Sequence, residues 1–421
     1  MKRYALMEKK WGKFLFFLFL FAMLLLARDT LISSCIVGFT TSQVLMLGLI
    51  CLLGMVFLLC NRGHWKEIFT DRRMFLIGIS VAVLLLPMLG KRDWQLMYFS
   101  ILLCLLLSVF LTYFISWQEA AKYYVVILAA LGVYSLVGMY VLKGPANACV
   151  INPPVFVNSA GMEFFNFGLT FVVPWEYWHR NFGIFREPGV YQFFLLLGVY
   201  LNHYAVSWKR SWIMWLVTVL LCLTMVSTFA IGGCIELALL AVFIYFDKHY
   251  YRTKTGMVLG GAVLAVILGA VAWIVMQIRK PGFEQTVFYE FYDMFIRLTT
   301  DSDSLVDRIS AIFVSAGMFL NAPLLGNPIA EVLHGTAHNT SSTLILFAIL
   351  GIAGGALNVA AWVALAWKRQ RNVFGNLLLL VILFMSFNTQ NLVADVFFWL
   401  FPYMALTEKV LPRLQLSERK V

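Results

Sequence analysis

The chain is expected to fold as an all-α, polytopic membrane protein of about twelve spans, on three observations. Of its 421 residues, 62% are hydrophobic and only 13% charged, where soluble chains carry about 25% charged residues. Apolar runs that can cross about 30 Å of hydrocarbon recur from end to end. Lys and Arg gather in alternate connecting segments, the bias that sets membrane topology. A single integral-membrane domain, 1–421, accounts for all three. The net charge of +11 would suggest nucleic acid only if its placement beside the spans were ignored, so no nucleic-acid partner is expected.

The runs fall at 14–27, 43–60, 74–89, 95–115, 123–141, 190–206, 211–226, 229–246, 256–275, 341–366, 374–387 and 393–407. The first follows a basic N-terminus and has the look of a signal peptide. No small-x-small cleavage site follows it, since Ala27 runs into Arg28 and Asp29, so it reads as an uncleaved span. With the N-terminus placed in the cytoplasm, 22 of the 32 Lys and Arg lie on the cytoplasmic side and 10 outside, and the acidic residues lean the other way. An even number of spans returns the C-terminus, with Lys409, Arg413, Arg419 and Lys420, to the cytoplasm. Most of the seven cysteines lie in apolar runs as small core residues. Only Cys35 and Cys149 fall in outer segments, and there is no CxxC.

Two outer segments, about 142–189 and 277–340, are too long to be simple connectors. The first has an aromatic middle, Glu163 to Trp178, expected to lie in or dip into the membrane interface. It ends in RNFGIFREPG, Arg180 to Gly189, directly before the apolar run Val190 to Ala205. Charge packed against the start of a span is costly and is usually retained for a reason. Pro188 suits the first turn of the helix that follows. In the second segment, 284–298 carries Phe288, Phe291 and Phe295 on one helical face and Glu290, Asp293 and Arg297 on another. That pattern suits a helix lying on the membrane, although Asp293 and Arg297 are equally an ordinary i,i+4 pair. A further helix is expected from Ser304, where Ser304 and Asp307 have the spacing of a capping box. Arg308 stands on its first turn, its body reaches Leu320, and it stops at Asn321-Ala322-Pro323.

No HExxH, Walker loop or GxSxG is present. Asp301-Ser302-Asp303 reads as a solvated turn before a helix. His334 and His338 are four apart, but no third ligand is near, so no metal is expected. What remains is a set that topology puts on one side: Arg180, Arg186, Glu187, Arg297, Arg308 and His338. Arginines held at a membrane surface suit phosphate. Glu and His suit proton removal from a sugar hydroxyl. Glu236 and Asp395 lie inside spans, where an acid is either functional or pairs with a neighbouring helix.

Four stretches resemble the O-antigen polymerase/ligase superfamily. RNFGIFREPGVYQFF is similar to the RxxGxFxEPG signature of the O-antigen and capsular polysaccharide polymerases. Ser227-Thr228 followed by Ile231-Gly232-Gly233 resembles the family's small-residue hairpin, and DRISAIFVSAGMFLNAPLLGNP its arginine, helix and PLLG segment. HNTSSTLILFAILGIAGG resembles its HN-containing span start. The match covers roughly Arg180 to Gly355; Asn327-Pro328 stands where relatives often have a second glycine. The resemblance implies a glycosyltransferase of the bacterial cytoplasmic membrane that joins polyprenyl-diphosphate-linked glycans at the outer face, without metal, nucleotide sugar or other cofactor. Its implied partners are those lipid-linked glycans, membrane lipids, a chain-length regulator and a flippase.

Carried over one residue at a time, Arg180 matches the RxxG arginine, Glu187 the polymerase glutamate, Arg308 the loop arginine and His338 the histidine of the HN pair. Arg186 and Arg297 have no firm counterpart. The arginines would stabilise the departing diphosphate, and a single displacement would invert the anomeric carbon. His338, with no carboxylate adjacent in sequence, is expected to be the general base near neutral pH, with Glu187 orienting an arginine or the acceptor. Two rival readings are a ligase that moves the finished chain to another acceptor, and a secondary transporter or flippase for the same lipid. EPG favours the polymerase. Transporters place sites at the bilayer midplane, often in paired broken helices, whereas the polar residues here collect at the rim.

Overall fold

Every one of the twelve apolar runs is helical in the computed structural model. The structure describes residues 10–60, 72–158, 161–175, 179–278, 302–334, 341–369 and 373–410, with positions 280, 282–283, 286, 289–293 and 296 between them. In chain order the helices are α1 (Lys10–Leu25), α2 (Phe39–Cys60), α3 (Arg72–Lys91), α4 (Leu96–Leu111), α5 (Trp117–Val137), the short α6 (Lys143–Asn147), α7 (Pro188–Tyr204), α8 (Ser211–Val226), α9 (Ile231–Asp247), α10 (Lys254–Gln277), α11 (Ser302–Asn321), α12 (Ile329–His334), α13 (Ser342–Ala366), α14 (Val373–Phe387) and α15 (Val396–Val410). Among the described residues three stretches, Arg73–Lys91, Trp117–Asn147 and Ser342–Ala366, are long and apolar enough to cross a membrane by length and composition.

Two helices form the axis of the bundle. α7 is buried along nearly all of its length, and α15 is buried from Val396 to Ala405. Both are apolar all round, which is the composition of a helix with neighbours on every side. α7 packs against α5, α8, α9 and α14, and α15 packs against α4, α5 and α13. The rim is apolar on its outward side: Val44, Leu52 and Met55 of α2, Val258 and Leu268 of α10 and Phe374 of α14 are exposed. So large an apolar outer surface suits a bilayer and not water.

The bundle has two chemically distinct ends. At the lower end Lys13 pairs with Glu119 at 3.2 Å, Lys368 pairs with Glu408, and Arg73 Nη1 donates to the Thr112 carbonyl at 3.2 Å. At the upper end α1 finishes and α7, α9, α13 and α15 begin.

The upper end departs from the purely helical expectation. The first long segment, about 142–189, contains a three-stranded antiparallel sheet of β1 (Val155–Val157), β2 (Glu163–Asn166) and β3 (Phe171–Val172), the last two within its aromatic middle, with Phe156 opposite Phe164 and Asn166 opposite Phe171. Short aromatic and β-branched runs between turns favour strands. Phe164 and Phe171 turn inward with Leu31, Val173 and Phe182, and make a small second core. Cys35 and Cys149 are free thiols.

α13 is interrupted at Gly351, whose φ of 66° and ψ of −164° only glycine adopts readily. The PLLGNP segment fills the break. Ile352 N–H donates to Pro323 O at 2.8 Å, Asn327 N–H donates to Ala348 O at 2.6 Å, and Lys91 Nζ donates to Ile349 O and Asn327 O at 2.7 Å each. A broken helix at this depth persists only if its freed backbone groups find partners, and here protein groups supply them. The helix expected from Ser304 begins at Ser302 and ends at Asn321; the side chains of Ser304 and Asp307 lie outside the described residues.

Candidate functional site

Arg180 to Gly189 forms the centre of the upper end. Asn181 anchors it: its Nδ2 donates to Ser135 Oγ at 3.0 Å and Ser227 Oγ at 2.9 Å, and its Oδ1 accepts from Gly183 N–H at 2.9 Å. Gly183 has a φ of 55°, and a Cβ there would lie 2.6 Å from the Tyr191 ring. Only glycine meets both conditions without strain. Arg180, half-buried, directs Nε to the Thr228 carbonyl at 3.4 Å. The string thus docks on the Ser227-Thr228 hairpin, joining two of the stretches that carry the sequence resemblance.

The next residues bind the end of α1. Thr30 and Phe185 form an antiparallel bridge, flanked by Leu31 N–H to Ile184 O at 2.7 Å and Arg186 N–H to Asp29 O at 3.0 Å. Arg186 Nε lies 2.9 Å from Asp29 Oδ1; Asp29 is 1% exposed. The Asp29 carboxylate holds the Arg186 guanidinium above its ordinary range, and Glu187 adds to the effect. Asp395, fully buried, accepts from Phe397 N–H at 2.8 Å at the start of α15 and is near enough to Asp29 and Arg28 to interact electrostatically with both. Arg28, Asp29, Arg186 and Asp395 therefore make one charged cluster. The sequence pointed to Arg186 and Asp395 separately; Arg28 and Asp29 passed as the polar tail of a span.

Glu187 is the N-cap residue of α7, with Pro188 at the first helical position. Its side chain makes no capping bond and is exposed, so the carboxylate stands at the surface of the site. One turn on, Gln192 is buried against Gly233, where a Cβ would fall 2.1 Å from Gln192 Oε1. The same approach brings in Glu236 of α9, itself 1% exposed. Gly189 lies against the Gln390 amide. Ser342 Oγ donates to Gln390 O at 2.5 Å, and Asn388 Oδ1 accepts from Ser341 Oγ at 3.0 Å and Thr343 N–H at 2.9 Å. The N-termini of α7, α9 and α13 thus converge on the 388–391 turn, just before α15. Helix N-termini carry partial positive charge, so their convergence favours an anion.

The second long segment reaches this site. Glu290 Oε1 accepts from His179 N–H at 3.1 Å, and Phe291 meets Phe229 edge-on at 4.8 Å. The pattern expected to lie on the membrane is, at residues 289–293, docked on the first segment. His179 is a residue the sequence reading passed over. Burial, with Lys143 nearby, lowers its pKa from the ordinary imidazole value, which favours the neutral ring. Its only signal in the sequence was its place beside Arg180.

Of the six site residues named from sequence, the side chains of Arg180, Arg186 and Glu187 are described: Arg180 reaches the Thr228 carbonyl, Arg186 pairs with Asp29, and Glu187 is exposed. Arg308 is on the first turns of α11, its side chain outside the described residues; Arg297 and His338 lie outside them altogether. Among the described residues no cluster of three His, Cys, Asp or Glu side chains could hold a metal. No family model matches the chain, and neither a curated protein nor a solved structure does.

Proposed function

We propose that this chain is a glycosyltransferase of about twelve spans in the bacterial cytoplasmic membrane, polymerising polyprenyl-diphosphate-linked repeat units at its upper, outer end. The observation that carries the reading is the lodging of RNFGIFREPG among converging helix N-termini, with Arg180 half-buried and Glu187 exposed. A diphosphate leaving group needs charge neutralisation, and arginine with helix N-termini supplies it. Arg180 and Arg308 take the diphosphate in this proposal. Arg186, engaged by Asp29, positions the string between α1 and α7. Glu187 orients the acceptor sugar. His338 is the base on sequence grounds, and His179 is its competitor on position.

Orientation follows from charge: the lower end holds the basic connectors, and the basic side of a membrane protein faces the cytoplasm. The transporter reading draws support from the broken α13, but Lys91, Pro323 and Asn327 bond the Ile349 carbonyl, the Ile352 N–H and the Ala348 carbonyl at the break, which favours a structural role for it. The ligase reading stays as the alternative.

The surface glycan of a deletion strain separates the three. Single repeat units on the acceptor support a polymerase, unligated lipid-linked chains a ligase, and absence of glycan outside the membrane a flippase. Purified protein then tests the site. Arg308→Lys should lose most polymerisation of lipid-linked repeat units at matched protein level, since a point charge does not replace a planar fork. Full activity of that variant would remove Arg308 from the site.

A further inference from the structure

The lower end holds a cavity that the proposed chemistry does not use. It has a volume of about 440 Å³ and opens between α7, α8, α9 and α10. Its wall is almost wholly apolar, with Trp215, Cys222, Leu237 and Tyr250 among the lining residues and Gly260-Gly261 at the α10 side. One polar pair in the wall is His203 and Thr218, with His203 Nε2 2.9 Å from Thr218 Oγ1. Thr218 donates its own proton to Met214 O at 2.9 Å. The imidazole therefore carries its proton on Nε2, leaving Nδ1, buried and without a partner, as an acceptor.

Basic residues stand on the two connections beside the cavity. The turn between α7 and α8 carries Lys209 and Arg210, both exposed, and Arg210 is the N-cap of α8, the helix that supplies Trp215 to the cavity wall. The turn between α9 and α10 carries Lys248, His249 and Arg252, Lys254 opens α10, and Tyr250 of the cavity wall belongs to this same turn. Trp215 and Tyr250 touch, with ring centroids 5.3 Å apart, so the two basic turns flank one opening. Lys248 Nζ stands 4.7 Å from the Tyr204 ring. Asp247, the last residue of α9, accepts from Tyr204 OH at 2.9 Å. An apolar slot with a cationic mouth at the basic end of a helical membrane bundle has the chemistry of an anionic-lipid site.

We infer that this cavity binds an anionic phospholipid of the inner leaflet, one acyl chain in the slot and the phosphate at the Lys209, Arg210, Arg252 and Lys254 rim. The inference rests on the membrane reading of the chain and is independent of the polymerase reading, since lipid binding is measured without turnover. The volume lies within the ~300–1,000 Å³ of pockets that take small molecules.

Two kinds of variant test it. Gly261 has open space where a Cβ would stand, so Gly261→Leu fills the slot while favouring the helix; Ala241→Phe is a second filler on α9. Arg252→Gln with Lys254→Gln strips the rim and leaves the slot. Binding to purified full-length protein in detergent is read by native mass spectrometry with phosphatidylglycerol, phosphatidylethanolamine and free glycerol phosphate as probes. Phosphatidylglycerol should bind at least about tenfold more tightly than phosphatidylethanolamine, about 1.4 kcal/mol, and glycerol phosphate should not bind. The fillers should lose phosphatidylglycerol at unchanged unfolding temperature, and the rim variant should lose the preference between the two lipids. Equal binding of both lipids by the wild type, or undiminished phosphatidylglycerol binding by a folded filler, overturns the inference. Binding of glycerol phosphate alone would make the mouth a free-phosphate site and overturn it as well.

Discussion

Removing the Asp29 carboxylate should loosen the attachment of α1 to the Arg180–Gly189 string. Asp29 is 1% exposed, while the Arg186 side chain is 39% exposed. Breaking a fully buried pair by deleting one partner costs about 3–5 kcal/mol, and an exposed pair is worth about 0–1 kcal/mol. The half-exposed guanidinium can turn to water, which discounts the buried figure. A coupling of about 1–2 kcal/mol follows. Asp29→Asn keeps the shape and the main-chain bond from Arg186 N–H to Asp29 O. The assay is a double-mutant cycle with Arg186→Gln, read by denaturant unfolding of purified protein in detergent. The double variant should be less destabilised than the sum of the singles by that amount. Additivity within about 0.5 kcal/mol would refute the pairing as a source of stability, and with it the positioning role given to Arg186.

Three further outcomes are expected. Gly351→Ala should abolish folded protein at the membrane, because φ is 66° and a Cβ would lie 2.2 Å from the Leu324 carbonyl oxygen; normal yield would show that α13 can heal its break. Lys91→Met should lower unfolding stability by about 2 kcal/mol, since the carbonyls of Asn327 and Ile349 lose a buried donor, and an unchanged unfolding curve would mean that water replaces it. If His179 is the base, its lowered pKa keeps it neutral to lower pH. The acid limb of the activity profile then lies below the ordinary imidazole value of about 6.5, and His179→Ala, not His338→Ala, abolishes turnover; the opposite pair of results returns the role to His338.

Much of the site string was legible because its rules are local. Pro188 at the first turn of α7 follows from backbone preference. Glu187 and Arg180 stood out because charge beside an apolar run is rare. The contact between the string and Asp29 was not legible, as nothing in ARDT distinguishes a site residue from the end of a span. The sheet was missed for a related reason: strands of two to four residues are too short to show a period, and their aromatic content matched that of an interfacial segment. His179 was missed because a lone histidine carries no pattern.

Hydropathy alone placed the helices, because each residue's preference for water or hydrocarbon is a local property and summed runs of it need no knowledge of neighbours. Which helices form the axis was a different matter. α7 and α15 are buried all round, yet α2 and α14 are as apolar and are exposed on one side. In a membrane both lipid and protein satisfy an apolar side chain, so hydropathy cannot separate the inside of a bundle from its rim. Packing decided that, together with the pairing of Asp29 with Arg186 and the closure of the α13 break by Lys91, since each joins groups from different helices whose meeting depends on how the whole bundle assembles.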